Sequence, residues 1–251
     1  MRPYQKNFYK SSPRVRDEES RKDKASKIAD LLKAHSKINL ATSICADIGC
    51  SSGVITETLT PLFRHIIGLE YDWVGLKNIR DRRLVGPSFL QGDAMFLPFA
   101  DESIDFMICA QIYEHVPNDE ILFAEIYRTL RPGGLVFFSG PNKLYPIEPH
   151  YFLPFLHWLP QELADRYLKL FHLGDHYYER SRTLWGLRKL MRAFEINDVT
   201  LQVIIRTIQQ KPPTSLGKLL KRIPFIMWRL LLPVIPNYNW IIQKPITRNK
   251  A

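Results

Sequence analysis

Residues 46–53 read Ala46-Asp47-Ile48-Gly49-Cys50-Ser51-Ser52-Gly53. An apolar run, 43–48, leads into this stretch, and a helical pattern over 54–62 follows it. A glycine-bearing loop between a buried strand and a helix belongs at the carboxyl end of a strand in an open α/β sheet, where such sheets bind ligands. Glycine there lets the backbone take positive φ and approach a ligand closely. Downstream, strand patterns at 65–70, 87–90, 104–109 and 134–139 alternate with helical patterns at 72–84 and 119–130, with Asn118 placed as an N-cap. A helix over 17–36 precedes the first strand, with Ile28, Leu31 and Leu32 at helical spacing. The alternation predicts an α/β fold, a doubly wound, mostly parallel, Rossmann-like sheet with helices on both faces. A helix over 183–194, a strand over 196–205 and an antiparallel last strand over 239–243 bring the expected sheet to seven strands.

Acids stand where such a sheet places them near a ligand. Glu70 closes the second strand, where a carboxylate can accept both hydroxyls of a ribose. Asp93 follows the third strand in Gln91-Gly92-Asp93-Ala94. The spacing G-x-S-x-G also fits a hydrolase nucleophile elbow, but that elbow follows several strands and here only one precedes it. A nicotinamide fingerprint needs G-x-G-x-x-G, which the spacing does not give. A bare glycine turn with acids nearby by chance is the plainest alternative.

With these residues in place, the chain resembles the class I S-adenosylmethionine-dependent methyltransferases, in particular their small-molecule group. The resemblance covers about residues 40–142. It rests on 46–53, Glu70, Gly92-Asp93-Ala94 with Leu97-Pro98-Phe99, residues 106–116, and Leu130-Arg131-Pro132-Gly133-Gly134, in that order. It implies S-adenosylmethionine as cofactor. Asp47 would orient the loop beside the methionine amino group. Gly49, Cys50, Ser51 and Gly53 would form the cradle, with Ser51 where the family often has glycine. Glu70 would hold the ribose hydroxyls with Tyr71 beside the adenine. Asp93 and Ala94 would meet the adenine edge, and Gln111 the methionine portion.

Transfer to a hydroxyl needs a positioned acceptor and a place for its proton. His115, in Gln111-Ile112-Tyr113-Glu114-His115-Val116, follows the fourth strand and is one candidate base; the alternative is a helix cap or a backbone hydrogen bond. Some quinone O-methyltransferases bind a divalent metal through Glu-x-x-Glu-His here. Gln111 replaces the first acid, so no metal is expected. Ala110-Gln111-Ile112-Tyr113 also departs from the Asn-Pro-Pro-Tyr motif of enzymes acting on exocyclic base nitrogens. Residues 141–182 carry five prolines and many aromatics without a clear period, an ordered helical insertion after the fifth strand. His150 within it is a second candidate base, and Tyr151 and Trp158 could wall the cleft or merely pack the insertion.

The net charge of +10 is uneven: +6 over residues 1–40, −4 over 41–208 and +8 over 209–251. The domain reading is a basic N-terminal arm and helix over 1–40 and a methyltransferase domain over 41–251. Within the latter, 216–236 is a basic amphipathic segment before the last strand. On a helical wheel its leucines and isoleucines oppose Lys218, Lys221, Arg222 and Arg229, a pattern suited to an anionic membrane surface or to packing over the insertion. No signal peptide or 18-residue apolar stretch occurs, and the three cysteines form no CxxC pair. A cytoplasmic protein, peripheral at the membrane, is expected. The function expected is O-methylation of a small or lipid-linked metabolite, glycan or quinone-like. The alternatives are RNA-directed methylation through the basic ends, with nucleic acid the less favoured partner, and a non-catalytic cofactor-binding subunit.

Overall fold

The computed structural model describes Tyr9, residues 17–210 and residues 224–246. The rest of the basic arm, and residues 211–223 of the amphipathic segment, lie outside the described residues. Seven strands form one sheet: β1 (Ile44–Ile48), β2 (His65–Glu70), β3 (Ser88–Gln91), β4 (Ile104–Ala110), β5 (Leu130–Pro141), β6 (Glu195–Asp198) and β7 (Asn237–Gln243). Their order is β3-β2-β1-β4-β5-β7-β6. Strands β1 to β5 pair in parallel, and β7 inserts antiparallel between β5 and β6. The topological switch lies between β1 and β4, so the loops leaving those two strands flank a crevice.

Successive residues of the central strands feed opposite cores, as a doubly covered sheet requires. Ala46, Ile48, Met107, Cys109, Val136 and Phe138 face Leu122, Phe123 and Ile126 of helix Asp119–Thr129. Their neighbours Cys45, Phe106, Ile108, Leu135 and Phe137 face Ile28, Leu31 and Leu32 of helix Glu18–His35 and Ile55 and Leu59 of helix Val54–Leu59. Asp105 ties the lower edge together: its carboxylate accepts from the Ile44 N–H (2.8 Å) and from Arg131 (2.7 Å). Asn118 caps its helix by accepting from the N–H groups of Glu120 and Ile121.

The sequence reading needs correction at 196–205. Only Glu195–Asp198 pairs as a strand, and Thr200–Gln210 is a helix. The β-branched run favours a strand locally, but Asp198 accepts from the Thr200 N–H and starts a helix whose apolar side packs inward. The helix expected over 183–194 is shorter, Leu184–Leu190, with Thr183 as its cap.

Residues 142–182 form an appendage with its own small core. Leu153, Leu156 and Tyr177 pack with Ala164 and Leu168 of helix Gln161–Leu170. Its two ends meet in a bridge between Asn142 and Arg182, and Arg182 grips Asp119 of the main domain through two hydrogen bonds of 2.5 and 2.6 Å. In the described part of the amphipathic segment, Pro224 opens helix Phe225–Leu231. Ile226, Met227, Leu230, Leu231 and Val234, all from the expected apolar arc, are exposed. No helix among the described residues is long and apolar enough to cross a membrane.

Candidate active site

The loop after β1 turns sharply because three of its residues take positive φ: Gly49 (+69°), Ser51 (+56°) and Gly53 (+72°). The N–H groups of Gly49 and Cys50 both donate to the Leu69 carbonyl (2.8 and 3.0 Å), which locks the loop onto the end of β2. Glu70 completes the lock. One carboxylate oxygen accepts from the Ser51 N–H (2.6 Å) and the other from the Asp72 N–H (2.7 Å). Burial pushes the Glu70 carboxyl up, and those two backbone donors pull it back. Asp93 follows β3, with one oxygen accepting from the Met95 N–H at 2.9 Å. Gln111 also has positive φ (+65°). Its amide donates toward Ser139 (3.3 Å) and Asn237 (3.4 Å), residues of β5 and β7 that the sequence did not single out.

These elements flank a cleft of about 880 Å³, counting space open to solvent. Gly49, Ser51, Glu70, Tyr71, Asp93, Ala94 and Gln111 line it together with His115. Leu69, Met95, Ile112 and Val116 give it apolar walls. Three residues expected at the cofactor are not on its surface. Asp47 is buried behind the loop, where Thr56 donates to it at 2.7 Å. Cys50 is buried with its thiol against Gly68, and Gly53 backs onto Ile79 and Phe89.

Burial pushes the Asp47 carboxyl from 3.8 up to about 6, against the pull of Thr56, Arg21 and Lys24. The folded chain therefore holds this proton more tightly than the unfolded chain does. The Asp47 contribution to stability is fully present below about pH 4 and lost as pH rises through 6. Asp47→Asn keeps an oxygen for Thr56 and removes the charge. It is expected to raise stability at pH 7.5 by up to about 3 kcal/mol, an advantage that disappears at pH 4. Melting curves of both proteins across that range check this, and a gap independent of pH would contradict it.

Two cations on helix Glu18–His35 were read from sequence only as part of a basic arm. The Arg21 side chain stands among Asp47, Cys50 and Glu70, and its Nε makes no hydrogen bond among the described residues. Lys24 stands near Glu114, Asp47 and Cys109; burial lowers its ammonium to about 8. Both project over the carboxyl ends of β1 and β4.

His150 does not line the cleft. Its ring packs edge-on against that of His115, with centroids 4.9 Å apart. Glu148, which the sequence reading passed over, accepts from His150 Nδ1 at 2.8 Å and from the N–H groups of His150 and Tyr151 at 2.7 Å each. Burial acts to lower the His150 pKa, but Glu148 with Glu114 and Glu179 outweighs it and the net shift is upward. Burial pushes the fully buried Glu114 carboxyl up to about 7. The structure thus joins the two expected histidines into one buried cluster with three carboxylates. Tyr151 packs against Tyr177, and the Trp158 indole donates to the Lys143 carbonyl, so both serve the insertion's own packing.

Residues 46–138 match the family described as "Methyltransferase domain". A relative from Mycolicibacterium smegmatis, a probable S-adenosylmethionine-dependent methyltransferase, is 31% identical over 98 residues, covering 39% of this chain and 38% of its own. In its matches to such curated relatives the chain aligns over 39% to 59% of its own length and spans 38% to 58% of theirs. Among solved structures, the phosphoethanolamine N-methyltransferase 2 of Haemonchus contortus bound to S-adenosyl-L-methionine superposes with a TM-score of 0.56 at 16% identity, covering 88% of this chain and 52% of that one. The geranyl diphosphate C-methyltransferase of Streptomyces coelicolor A3(2) superposes with a TM-score of 0.55 at 14% identity, covering 87% and 77%. One of these acts on nitrogen and the other on carbon, so this fold does not dictate the acceptor atom. Residues 46–138 thus carry the match to a methyltransferase domain, on a seven-stranded sheet of the fold seen in solved S-adenosylmethionine-dependent methyltransferases.

Proposed function

We propose that this chain binds S-adenosylmethionine in the cleft between β1 and β4 and methylates an oxygen of a small, amphiphilic, lipid-linked or quinone-like metabolite. The observation that carries the reading is the single cleft lined by Glu70, Asp93 and His115 together. The residues fit the cofactor. Gly49, at positive φ and with Ile112 packed where a Cβ would stand, brings bare backbone to the cleft wall. Glu70 keeps lone pairs for the ribose hydroxyls, and Asp93 keeps an oxygen for the adenine amine. The buried Arg21 Nε and the Lys24 ammonium suit the methionine carboxylate. When bound, S-adenosylmethionine supplies a methyl group on a sulfonium, which passes to the acceptor oxygen as the S–C bond breaks and leaves a neutral thioether. The hydroxyl proton goes to the imidazole of His115 on the cleft wall, with His150 packed edge-on against it.

Two surfaces favour an amphiphilic acceptor met at an anionic membrane over an RNA one. The apolar face of helix Phe225–Leu231 is exposed, and Leu170, Phe171 and Leu173 of the insertion are exposed too. The basic residues of 209–251 supply the matching charge.

Calorimetric titration with S-adenosylmethionine, followed by turnover of hydroxylated amphiphiles in anionic vesicles, tests the reading. Lys24→Ala and Arg21→Ala are each expected to weaken cofactor binding about 10-fold to 100-fold, the range of a lost charge-assisted hydrogen bond. Binding of 5′-methylthioadenosine, which lacks the carboxylate, should change little. Absence of binding by the folded wild-type chain would sink the assignment. Binding without turnover of any hydroxyl acceptor would move it to another acceptor atom or to a cofactor-binding subunit.

A further inference from the structure

We propose that the appendage over 142–182 is the membrane-inserting element of this chain. Its apolar rim enters an anionic lipid bilayer and seats the His115 end of the cleft at the headgroups. This rests on the proposed methyl-transfer reading and deepens it. The appendage has a complete core of its own, made by Leu153, Leu156, Ala164, Leu168 and Tyr177, all buried. Phe155, Trp158, Leu163, Leu170, Phe171 and Leu173 take no part in that core, and each is at least 45% exposed. One such residue on a surface is ordinary; this many on one short segment mark a contact surface.

In helix Gln161–Leu170, Leu163 and Leu170 stand two turns apart on one exposed face, while Ala164 and Leu168 point into the appendage core. Arg166 and Lys169, both exposed, flank that stripe on the side away from the core. Such side chains lay their stems along apolar surface and carry the charge out to the phosphates. At the helix end the Phe171 ring packs edge-on against Tyr167, with centroids 5.3 Å apart. Just before the helix, Phe155 and Trp158 form a pair with ring centroids 4.7 Å apart. Phe155 has φ +59°, a conformation that bulky residues rarely take. Its N–H donates to the Pro146 carbonyl (2.6 Å), and the Glu148 N–H donates to the Leu153 carbonyl (3.0 Å), so the loop is fixed with this ring half in solvent. Glycine fits such a backbone better, and a half-exposed phenylalanine in its place points to a contact outside the chain.

Charge selects the bilayer as the occupant. The exposed cations of the appendage, Lys143, Arg166, Lys169 and Arg180, outnumber its exposed acids, Glu162 and Asp175. Aromatic, aliphatic and cationic side chains interleaved in this way suit an anionic interface, with the rings and leucines at the acyl boundary and the charges among the phosphates. A second copy of this chain on the same surface would bring those cations against one another. The chain itself limits the distance to the cleft. His150 and Phe155 are five residues apart, at most about 18 Å of chain. His150 packs against His115 on the cleft wall. A rim sunk about 5–10 Å into the boundary therefore leaves the acceptor end of the cleft within reach of a headgroup. The substrate class this favours is an amphiphile whose reacting hydroxyl sits at headgroup depth while its chain stays in the bilayer.

The test is flotation of the full-length chain with phosphatidylcholine vesicles that contain or lack phosphatidylglycerol, at low salt and without S-adenosylmethionine. Binding is expected with phosphatidylglycerol and should be at least roughly 10-fold weaker without it. Leu170→Ser combined with Phe171→Ser should weaken it at least roughly 30-fold, and Phe155→Gly roughly 3-fold to 10-fold, from the apolar area each withdraws. Phe155→Gly should melt close to the wild type, because glycine relieves the positive φ, so its weaker binding does not come from unfolding. None of these residues lines the cleft, and S-adenosylmethionine affinity should be unchanged in both variants. Brominated acyl chains should quench the tryptophan fluorescence; Trp158→Phe should remove most of that quenching, and Trp228→Phe, in helix Phe225–Leu231, should leave it. No flotation by the folded wild type, or flotation undiminished in both folded variants, overturns the proposal. Quenching that follows Trp228 instead of Trp158 also overturns it and gives the contact to the C-terminal segment. Self-association lost in the same variants, with no vesicle binding, gives the surface to a second copy. Vesicle binding by a chain that takes up no S-adenosylmethionine would instead remove the methyl-transfer reading and leave the membrane contact standing.

Discussion

Replacing Glu70 by alanine is expected to weaken S-adenosylmethionine binding by at least two orders of magnitude. The carboxylate is buried at the end of β2, in the wall of the cleft. Both oxygens are already fixed, one by the Ser51 N–H and one by the Asp72 N–H, so it meets a ligand without paying to be ordered. Two hydroxyls donating to one ionised carboxylate contribute about 1.5–3 kcal/mol each. Losing both, at about 1.4 kcal/mol per factor of ten, gives a loss of 100-fold or more. The substitution reaches the loop as well: Ser51, at φ +56°, loses the acceptor that holds its N–H. Glu70→Gln retains one carbonyl oxygen and should fall between the two. Calorimetry on proteins with matched circular dichroism checks the ranking. An alanine variant that binds like the wild type would remove Glu70 from the ribose role.

The parts of this site legible in the sequence are those fixed by local chain geometry. Positive φ after a strand calls for glycine, so Gly49 and Gly53 announced the loop; an acid at the end of the next strand put Glu70 beside it. The mostly parallel, doubly covered sheet of seven strands followed from the alternation of strand and helix patterns. What the sequence could not show depends on contacts between distant segments. Arg21 and Lys24 look like solvated charges on a helical wheel, and only the packing of Ile28, Leu31 and Leu32 against β4 and β5 turns them toward Asp47 and Glu114. His115 and His150 were each visible as candidates, but their edge-on contact requires the appendage to fold back over the loop after β4. Glu148 was hidden among prolines and aromatics. The helix at Thr200–Gln210 was misread because β-branched residues favour a strand until a cap and a buried face outweigh them.

Gly140→Val is expected to destabilise the fold by about 3–5 kcal/mol and to disorder the histidine cluster with it. Gly140 sits in β5 where a Cβ would come within 2.3 and 2.6 Å of two ring atoms of Tyr113. That ring is fully buried against Phe138 and cannot swing into solvent. Its hydroxyl donates to the Pro141 carbonyl (2.5 Å) and accepts from the Arg182 N–H (3.0 Å). One side chain therefore joins the loop after β4, the end of β5 and the returning end of the appendage. Overpacking a rigid core costs about 1–3 kcal/mol, and leaving buried polar partners unmet adds about 1–3 kcal/mol. Because Tyr113 directly precedes Glu114 and His115, displacing the ring also moves the residues facing His150. Tyr113→Phe separates the two effects. It keeps the ring and removes the hydroxyl, so it should cost only the hydrogen-bond part, about 1–3 kcal/mol, and leave the His115 ring against that of His150. Denaturant melts give the energies, and the histidine ring signals in NMR spectra report the cluster. A Gly140→Val protein of wild-type stability with those signals unmoved would mean that the Tyr113 ring has room to yield, and that the appendage is held by its other ties, Arg182 to Asp119, the Arg180 N–H to the Glu114 carbonyl and Asn142 to the Pro233 and Ile235 carbonyls.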